Sequence, residues 1–333
     1  MLTLRKLAIA LLPCIALTSC TQDSGFSTAQ MPIINGQPAP DENYGAVVSL
    51  SIRADKHYYT FCTGTLIRDD AILTAAHCVS DTDDFPFSRF HNNQQVQILT
   101  GQNVENPSVS DIYEIDRIQL HPDFSPQKTQ FDLAVVFLKT PVPEHIKPLP
   151  IFEEQSRLSL LAHQSQRVEF VGYGITEHGS DGERKSAEGS LLKYCPYKKP
   201  DSLCGIETPL GEHHLIPPGS FFHDLSTGGA CLGDSGGPIL IKENGEFSLI
   251  GVVAYGDADC KAYAVTTSVA DFAPWIRNTL DPPPEDDCSA SSLYAFRHNS
   301  SGRAPLFMVC CAFIGLGCLW RRREKITESL GQP

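Results

Sequence analysis

A serine between glycines is the first residue in this chain that could do chemistry. Ser235 lies in the stretch Gly-Ala-Cys-Leu-Gly-Asp-Ser-Gly-Gly-Pro, residues 229–238. Glycines beside it let the backbone approach a reacting carbonyl without a Cβ in the way. Because a serine hydroxyl is a weak nucleophile until a base removes its proton, the stretch requires a histidine elsewhere, and a carboxylate to orient that histidine.

Two upstream stretches supply this pair. His77 lies in Thr-Ala-Ala-His-Cys, residues 74–78, and Asp132 lies in Phe-Asp-Leu-Ala-Val, residues 131–135. The chain order is therefore histidine, aspartate, serine, and with these motifs it resembles the chymotrypsin/trypsin family of serine proteases. The resemblance implies acyl transfer to Ser235, with His77 as general base and acid and Asp132 fixing its tautomer.

The resemblance also assigns roles to residues near the serine. The backbone N–H groups of Gly233 and Ser235 would bind the developing oxyanion. The mature domain would begin at Ile33, and its new α-ammonium would pair with Asp234, because a buried charge needs a partner. Pro32 precedes Ile33 where arginine or lysine is expected, so a trypsin-like activator would not cut there.

The specificity pocket implied by the resemblance is uncharged. Its floor is Gly229, six residues before the nucleophile, where trypsin-like enzymes have aspartate. Since an unpaired cation is costly to bury, we expect an apolar side chain of small to medium size at the cut position. Asp257 and Asp259 lie near the rim and could instead attract a basic residue. The other expected pocket residues are Ala230, Tyr255, Gly256 and Ala264.

Two further positions qualify this interpretation. Ala254 stands where the family usually has a serine that donates to the catalytic aspartate, so we expect a less tightly held triad. His121 and Pro122 resemble a His-Pro turn that is structural in the family. The remaining histidines, including the adjacent His213 and His214, are expected to be surface or packing residues.

The 12 cysteines suit an oxidising compartment. The resemblance implies the disulfide Cys62–Cys78 beside His77 and Cys231–Cys260 at the pocket wall. A third pairing, Cys195–Cys204, stays open because its spacing is short for the family, and Cys288 has no obvious partner. No CxxC pair or His/Cys metal spacing occurs, so we expect no metal and no cofactor.

Short β-rich runs separated by turn residues fill residues 45–275, which predicts an all-β fold. A closing helix is expected over residues 268–279, and the polar segment 81–93 is expected to be a solvated loop beside His77. The strand candidates are Val47–Ile52, Thr63–Ile67, Val96–Thr100, Tyr113–Leu120, Leu133–Leu138, Arg167–Gly172, Pro238–Ile241 and Leu249–Tyr255.

The resemblance sharpens the predicted fold to two six-stranded antiparallel β-barrels over residues 33–280. His77 and Asp132 would belong to the first barrel and Ser235 to the second. The active site would then lie in the cleft between the barrels.

Both ends of the chain resemble targeting segments. A charged start, an apolar run and the final Cys20 are typical of a bacterial lipoprotein signal, the alternative being an ordinary signal peptide with a chance cysteine. An apolar run followed by three arginines near the other end predicts a membrane or sorting segment. The expected divisions are a signal at 1–19, a leader at 20–32, a linker at 281–303, the membrane segment at 304–323 and a tail at 324–333.

These features predict an exported serine endopeptidase of the bacterial cell envelope. It would be made as a precursor, anchored to the membrane, monomeric, and active on proteins or peptides. The net charge of −13 argues against a nucleic-acid partner. Two alternatives stay open: a non-catalytic binding or adhesion protein on a protease-like fold, and an esterase that uses the same serine.

Overall fold

The computed structural model describes most residues between Ile33 and Pro283. The gaps are 34–35, 82–85, 93, 126–129, 175–181, 198–202, 208–210, 212, 226–227, 258 and 261. The predicted signal, the lipidation site Cys20, the leader, the membrane segment and Cys288 lie outside the described residues and stay predictions. Within the described ranges, no helix is long and apolar enough to cross a membrane.

Strands dominate the described chain. The strands are β1 Gln37–Pro38, β2 Val47–Ala54, β3 His57–Arg68, β4 Ala71–Thr74, β5 Val96–Leu99, β6 Ile112–Tyr113, β7 Ile115–Leu120, β8 Ala134–Leu138, β9 Arg167–Gly172, β10 Lys185–Cys195, β11 Cys204–Glu207, β12 His213–Ile216, β13 Ser220–Asp224, β14 Pro238–Glu243, β15 Glu246–Gly256 and β16 Tyr263–Ser268. The helices are α1 Asp41–Tyr44, α2 Phe87–Asn92, α3 Gln155–His163 and α4 Val269–Leu280, with 3-10 turns at Ala76–Val79 and Val109–Asp111.

The first barrel is a sheet of antiparallel neighbours in the order β6-β5-β2-β3-β4-β8-β7. Its two end strands, β6 and β7, are separated in the chain only by Glu114. Counted as one bent strand, they close the sheet into a six-stranded ring. Residues of β4 and β8 are buried along their whole length, so these two paired strands form a rigid base for the chain segments that leave their ends.

The second barrel has the order β1-β10-β13-β16-β15-β14-β9, and β10 also pairs with β9. That extra pairing closes a ring of six strands, to which β1 adds two residues at the edge. A separate two-stranded sheet, β11 with β12, lies outside this ring. The predicted all-β fold with two barrels is therefore confirmed.

The predicted C-terminal helix is also confirmed as α4. Ser268 is its N-cap, and the hydroxyl oxygen accepts a hydrogen bond from the N–H of Asp271 at 3.4 Å. Such a cap satisfies a backbone donor that has no partner within the helix.

The prediction for residues 81–93 was incomplete, because this segment contains the helix α2. Phe87 is 4% exposed and its ring stacks with that of His91, with centroids 5.4 Å apart. Burial of one aromatic ring stabilises this helical turn within an otherwise polar stretch. The helix α3 was not predicted, and the predicted strand over 113–120 is interrupted at Glu114.

A buried guanidinium joins the two barrels. Arg184 is fully buried, and its Nε donates to the carbonyl of Ala39 at 3.1 Å. Its Nη1 donates to the carbonyl of Val47 at 3.2 Å and to the Tyr173 hydroxyl at 3.0 Å. A buried charge is tolerated only when such partners surround it, so Arg184 fixes the N-terminal segment and Tyr173 against the first barrel.

Candidate active site

His77 and Asp132 are brought together by the pairing of β4 with β8. The ladder pairs Thr74 with Ala134, so the residues beyond these ends, His77 and Asp132, lie side by side. The Nδ1 of His77 lies 2.6 Å from Oδ2 of Asp132, and the backbone N–H of His77 donates to Oδ1 at 2.9 Å. The aspartate side chain is 2% exposed and that of His77 is 30% exposed.

This pair sets the charge preference of the imidazole. Burial lowers the pKa of His77, but the carboxylate charge of Asp132 and its hydrogen bond outweigh burial, so the pKa is raised. The site therefore stabilises an imidazolium, which is the form that a general base takes after it has accepted a proton.

Ser235 lies next to this pair across the Cys62–Cys78 disulfide. Sγ of Cys78 is 3.7 Å from Nε2 of His77 and 3.5 Å from the carbonyl oxygen of Ser235. Among the described residues, the Ser235 hydroxyl makes no hydrogen bond with His77. Serine–histidine contacts often tighten only when substrate binds, so the geometry is compatible with activation of Ser235.

The loop that carries Ser235 exposes two backbone donors. Gly233 has a φ of +89°, a conformation that favours glycine. In the part of the chain that the structure describes, the N–H groups of Gly233 and Ser235 have no hydrogen-bond acceptor. Two such donors beside a serine can bind an oxyanion.

Thr63 holds this loop from the first barrel, and sequence reasoning missed it. Its N–H donates to the carbonyl of Ser235 at 2.8 Å, and its hydroxyl donates to the carbonyl of Gly233 at 2.9 Å. With both carbonyls held, the two N–H groups are fixed in place. The residue follows Cys62 directly, and no motif in the sequence distinguishes it.

Asp234 is a buried carboxylate held by backbone donors. Its Oδ1 accepts from the N–H of Gly174 and its Oδ2 accepts from the N–H of Cys231, both at 2.9 Å. A Cβ on Gly172 would clash with Oδ1, so this glycine makes room for the carboxylate. Burial raises the pKa of Asp234 to about 7 despite these two hydrogen bonds.

A cavity of about 210 Å³ opens beside Ser235. Four of the five predicted pocket residues line it: Ala230, Tyr255, Gly256 and Ala264. The apolar Leu232 and Val253 also contribute, as does Asp257. Oδ1 of Asp257 accepts hydrogen bonds from the N–H groups of Ala262 and Tyr263 at 2.9 and 2.8 Å, so this oxygen orders the loop at the rim.

Comparison with known proteins identifies the family. A sequence model of trypsin matches residues 33–276, which is more than half of the chain. The chain belongs to the trypsin family. A fruit-fly relative, serine proteinase stubble of Drosophila melanogaster, is 30% identical over 226 residues, which cover 65% of this chain. The chain spans about a quarter (26%) of that relative's length. Neither comparison supports the predicted bacterial origin.

Within the trypsin-family frame, the expected pocket floor needs correction. Gly229 is buried but does not line the cavity. Its φ is +152°, and a Cβ there would clash with Cδ2 of Leu225 and approach Cε2 of Phe170 at 3.7 Å. Leu225 therefore occupies the space that a side chain at position 229 would need.

The three predicted disulfides are all present. Cys62–Cys78, Cys231–Cys260 and the open pairing Cys195–Cys204 have Cα–Cα distances of 6.1, 5.3 and 5.7 Å. Cys62, Cys78 and His77 bring two sulfurs and a ring nitrogen within 4.8 Å of one another. Since both sulfurs are already joined in a disulfide, this cluster does not offer a metal the thiolates it would need.

Proposed function

We propose that this trypsin-family chain is a serine endopeptidase that forms an acyl-enzyme on Ser235. The observation that supports this most is the His77–Asp132 pair, with its 2.6 Å contact, next to a serine whose loop carries two backbone donors that have no acceptor among the described residues. An esterase could use the same groups, so the proposal of a peptide substrate rests on membership of the trypsin family.

The proposed reaction begins when Nε2 of His77 takes the Ser235 proton as the oxygen attacks the carbonyl carbon. The N–H groups of Gly233 and Ser235 bind the resulting oxyanion, and losing one such donor typically costs about 10²–10³ in rate. His77 then gives its proton to the leaving amine, and water hydrolyses the acyl-enzyme by the same route. Asp132 fixes the tautomer of His77 throughout.

The proposed cut follows an uncharged, apolar residue of small to medium size. The cavity of about 210 Å³ has mainly apolar walls, and Leu232 at its rim is 46% exposed. Ala264 is 1% exposed and lines this cavity, so its methyl group narrows the space for a substrate side chain. An arginine or lysine would find no carboxylate at position 229.

We also propose that cleavage before Ile33 activates the protein. Asp234 has two N–H donors and, within the described residues, no ion-pair partner. Ile33 is 1% exposed, so the residue that would begin the proposed mature domain is buried. A new α-ammonium at Ile33 would supply the charge that Asp234 lacks. The same cut would release the domain from a lipid at Cys20.

The test is fluorophosphonate labelling of the chain processed to begin at Ile33, with Ser235→Ala as the control. Stoichiometric labelling that disappears in Ser235→Ala, together with cleavage of a peptide library, is the expected result. Labelling with ester turnover but no peptide cleavage would favour an esterase. An unlabelled protein with a confirmed Ile33 terminus would overturn the enzyme proposal and favour a binding protein.

A further inference from the structure

The residue before Asp132 has a strained backbone. Phe131 has a φ of +54°, which is unfavourable for a bulky residue and costs on the order of 1–3 kcal/mol. The N–H of Leu133 donates to the carbonyl of Phe131 at 2.8 Å, so Asp132 is the central residue of a tight turn. Strain of this kind persists only where surrounding contacts enforce it.

Those contacts are aromatic. The ring of His121 stacks on that of Phe131, with centroids 5.0 Å apart and planes at 18°. The rings of Tyr197 and Phe272 meet Phe131 edge-on at 5.7 and 5.8 Å. Phe131 is 8% exposed, so its ring is enclosed by these three neighbours and its backbone cannot relax without breaking the stack.

His121 also holds the other side of Asp132. Its backbone N–H donates to the carbonyl of Leu133 at 2.9 Å. Its ring Nδ1 accepts from the N–H of Asp123 at 3.2 Å and its ring packs on Trp275 with centroids 4.9 Å apart. Burial lowers the pKa of His121 to about 4 although the nearby Asp123 opposes this, so the ring is neutral at pH 7.

Asp132 has few other restraints. Among the described residues, only His77 donates hydrogen bonds to its carboxylate. Ala254, which stands where the family usually has a donating serine, has no hydroxyl to offer. The orientation of the carboxylate must therefore come largely from the backbone of residues 131–133.

We propose that Phe131 and His121 form an aromatic clamp that positions the Asp132 carboxylate for His77. The clamp holds the residues on both sides of Asp132, Phe131 by its ring and Leu133 by its backbone. Both clamp residues are positioning residues, because neither contacts the reacting atoms. Only the kinetic consequence of the clamp rests on the proposed protease function.

The first test measures the pKa of His77 by NMR titration in the full chain carrying Ser235→Ala, which needs no activity. Phe131→Asn is the diagnostic variant, because asparagine tolerates a positive φ but cannot stack in the clamp. We expect a lower pKa for His77 in Phe131→Asn, since the raising effect of Asp132 weakens. Phe152→Ala is the control: it removes a buried ring from a hydrophobic cluster separate from the one that contains Phe131, and it should leave that pKa unchanged. An unchanged pKa in Phe131→Asn would overturn the clamp.

A matched pair at His121 separates stacking from hydrogen bonding. His121→Phe keeps a ring against Phe131, whereas His121→Asn keeps an acceptor and loses the ring. We expect His121→Asn, but not His121→Phe, to lower the pKa of His77. In the chain that retains Ser235, Phe131→Asn should lower kcat by about 10²-fold with KM unchanged, which is the size of effect that a misplaced catalytic group produces. Equal pKa values in both His121 variants would contradict the clamp even if the protein proves not to be a protease.

Discussion

The two barrels contribute the active site in different ways. The first barrel supplies side chains, His77 and Asp132, which already share two hydrogen bonds. The second barrel supplies a backbone loop around Ser235 and a buried carboxylate, Asp234, whose charge has no ion-pair partner among the described residues. In the full-length chain the first half already has its hydrogen bonds, and on the proposed activation the other half would depend on a charge that cleavage before Ile33 creates.

The two buried aspartates differ in the groups that they face. Asp132 faces an imidazole that can become cationic, at 2.6 Å. Among the described residues, Asp234 faces only N–H dipoles, which stabilise a carboxylate less than a full opposite charge does. Under the proposed function, the first barrel would determine the rate of the chemical step, and the second barrel would determine whether the site is active.

The largest expected effect comes from the first barrel. Asp132→Asn should lower kcat by about 10⁴-fold, as removal of a triad carboxylate does when the histidine takes the wrong tautomer. The pKa of His77 should also fall, because Asp132 is what raises it above its usual 6.5. A pH–rate profile of kcat/KM checks this: the acidic limb should lie above pH 6.5 in the parent and move to lower pH in the variant. Asp116→Asn, an exposed residue of β7, should change neither quantity.

In the second barrel, we expect the ionisation of Asp234 to change the free energy of unfolding. The pKa of Asp234 is raised from 3.8 to about 7 by burial, so the folded chain binds this proton more tightly than the unfolded chain does. The stabilisation is fully present below pH 3.8 and is lost as the pH rises through 7. For the uncleaved chain the loss is on the order of 4 kcal/mol.

The measurement is the free energy of unfolding of full-length Ser235→Ala between pH 4 and 8, with Ser235→Ala/Asp234→Asn as the control. The asparagine carries a constant cost, because its amide faces backbone donors, but it has no charge to bury. Relative to the asparagine control, the protein with Asp234 should lose stability as the pH rises toward 8. Parallel curves would show that a cation already neutralises Asp234 in the precursor.

The sequence predicted the parts of the site that are local in the chain. The motifs around His77, Asp132 and Ser235 each lie within a few residues of the chain, whereas the strand β4 and its pairing with β8 were not predicted. Thr63 could not be predicted, because its role depends on contact with Gly233, 170 residues away. The enclosure of Phe131 likewise needs Phe272 from the other end of the domain.

The packing around the pocket also depends on contacts that the sequence alone does not reveal. The sequence shows that position 229 lacks a carboxylate, but it could not show that Leu225 fills the space beside Gly229. Side-chain volume at a pocket floor is decided by whichever neighbour packs there, and spacing from the nucleophile does not reveal that neighbour. Ala264 was assigned through the family resemblance, and the structure places it on β16, where it pairs with Gly256 of β15.

The smallest expected effect is a change in substrate specificity, caused by a substitution in the second barrel. Ala264 is 1% exposed, lines the cavity and lies opposite Gly256. Ala264→Gly removes one methyl group from the wall, so larger apolar side chains should fit better. We expect the ratio of kcat/KM for phenylalanine over alanine at the cut position to rise about 10-fold, the lower range for one methylene in a hydrophobic pocket.

Ala71→Gly removes the same group from a buried position of β4 and should lower stability while leaving the ratio unchanged. If both variants shift the ratio equally, the change reflects general loosening, and the cavity beside Ser235 is not what selects the substrate side chain.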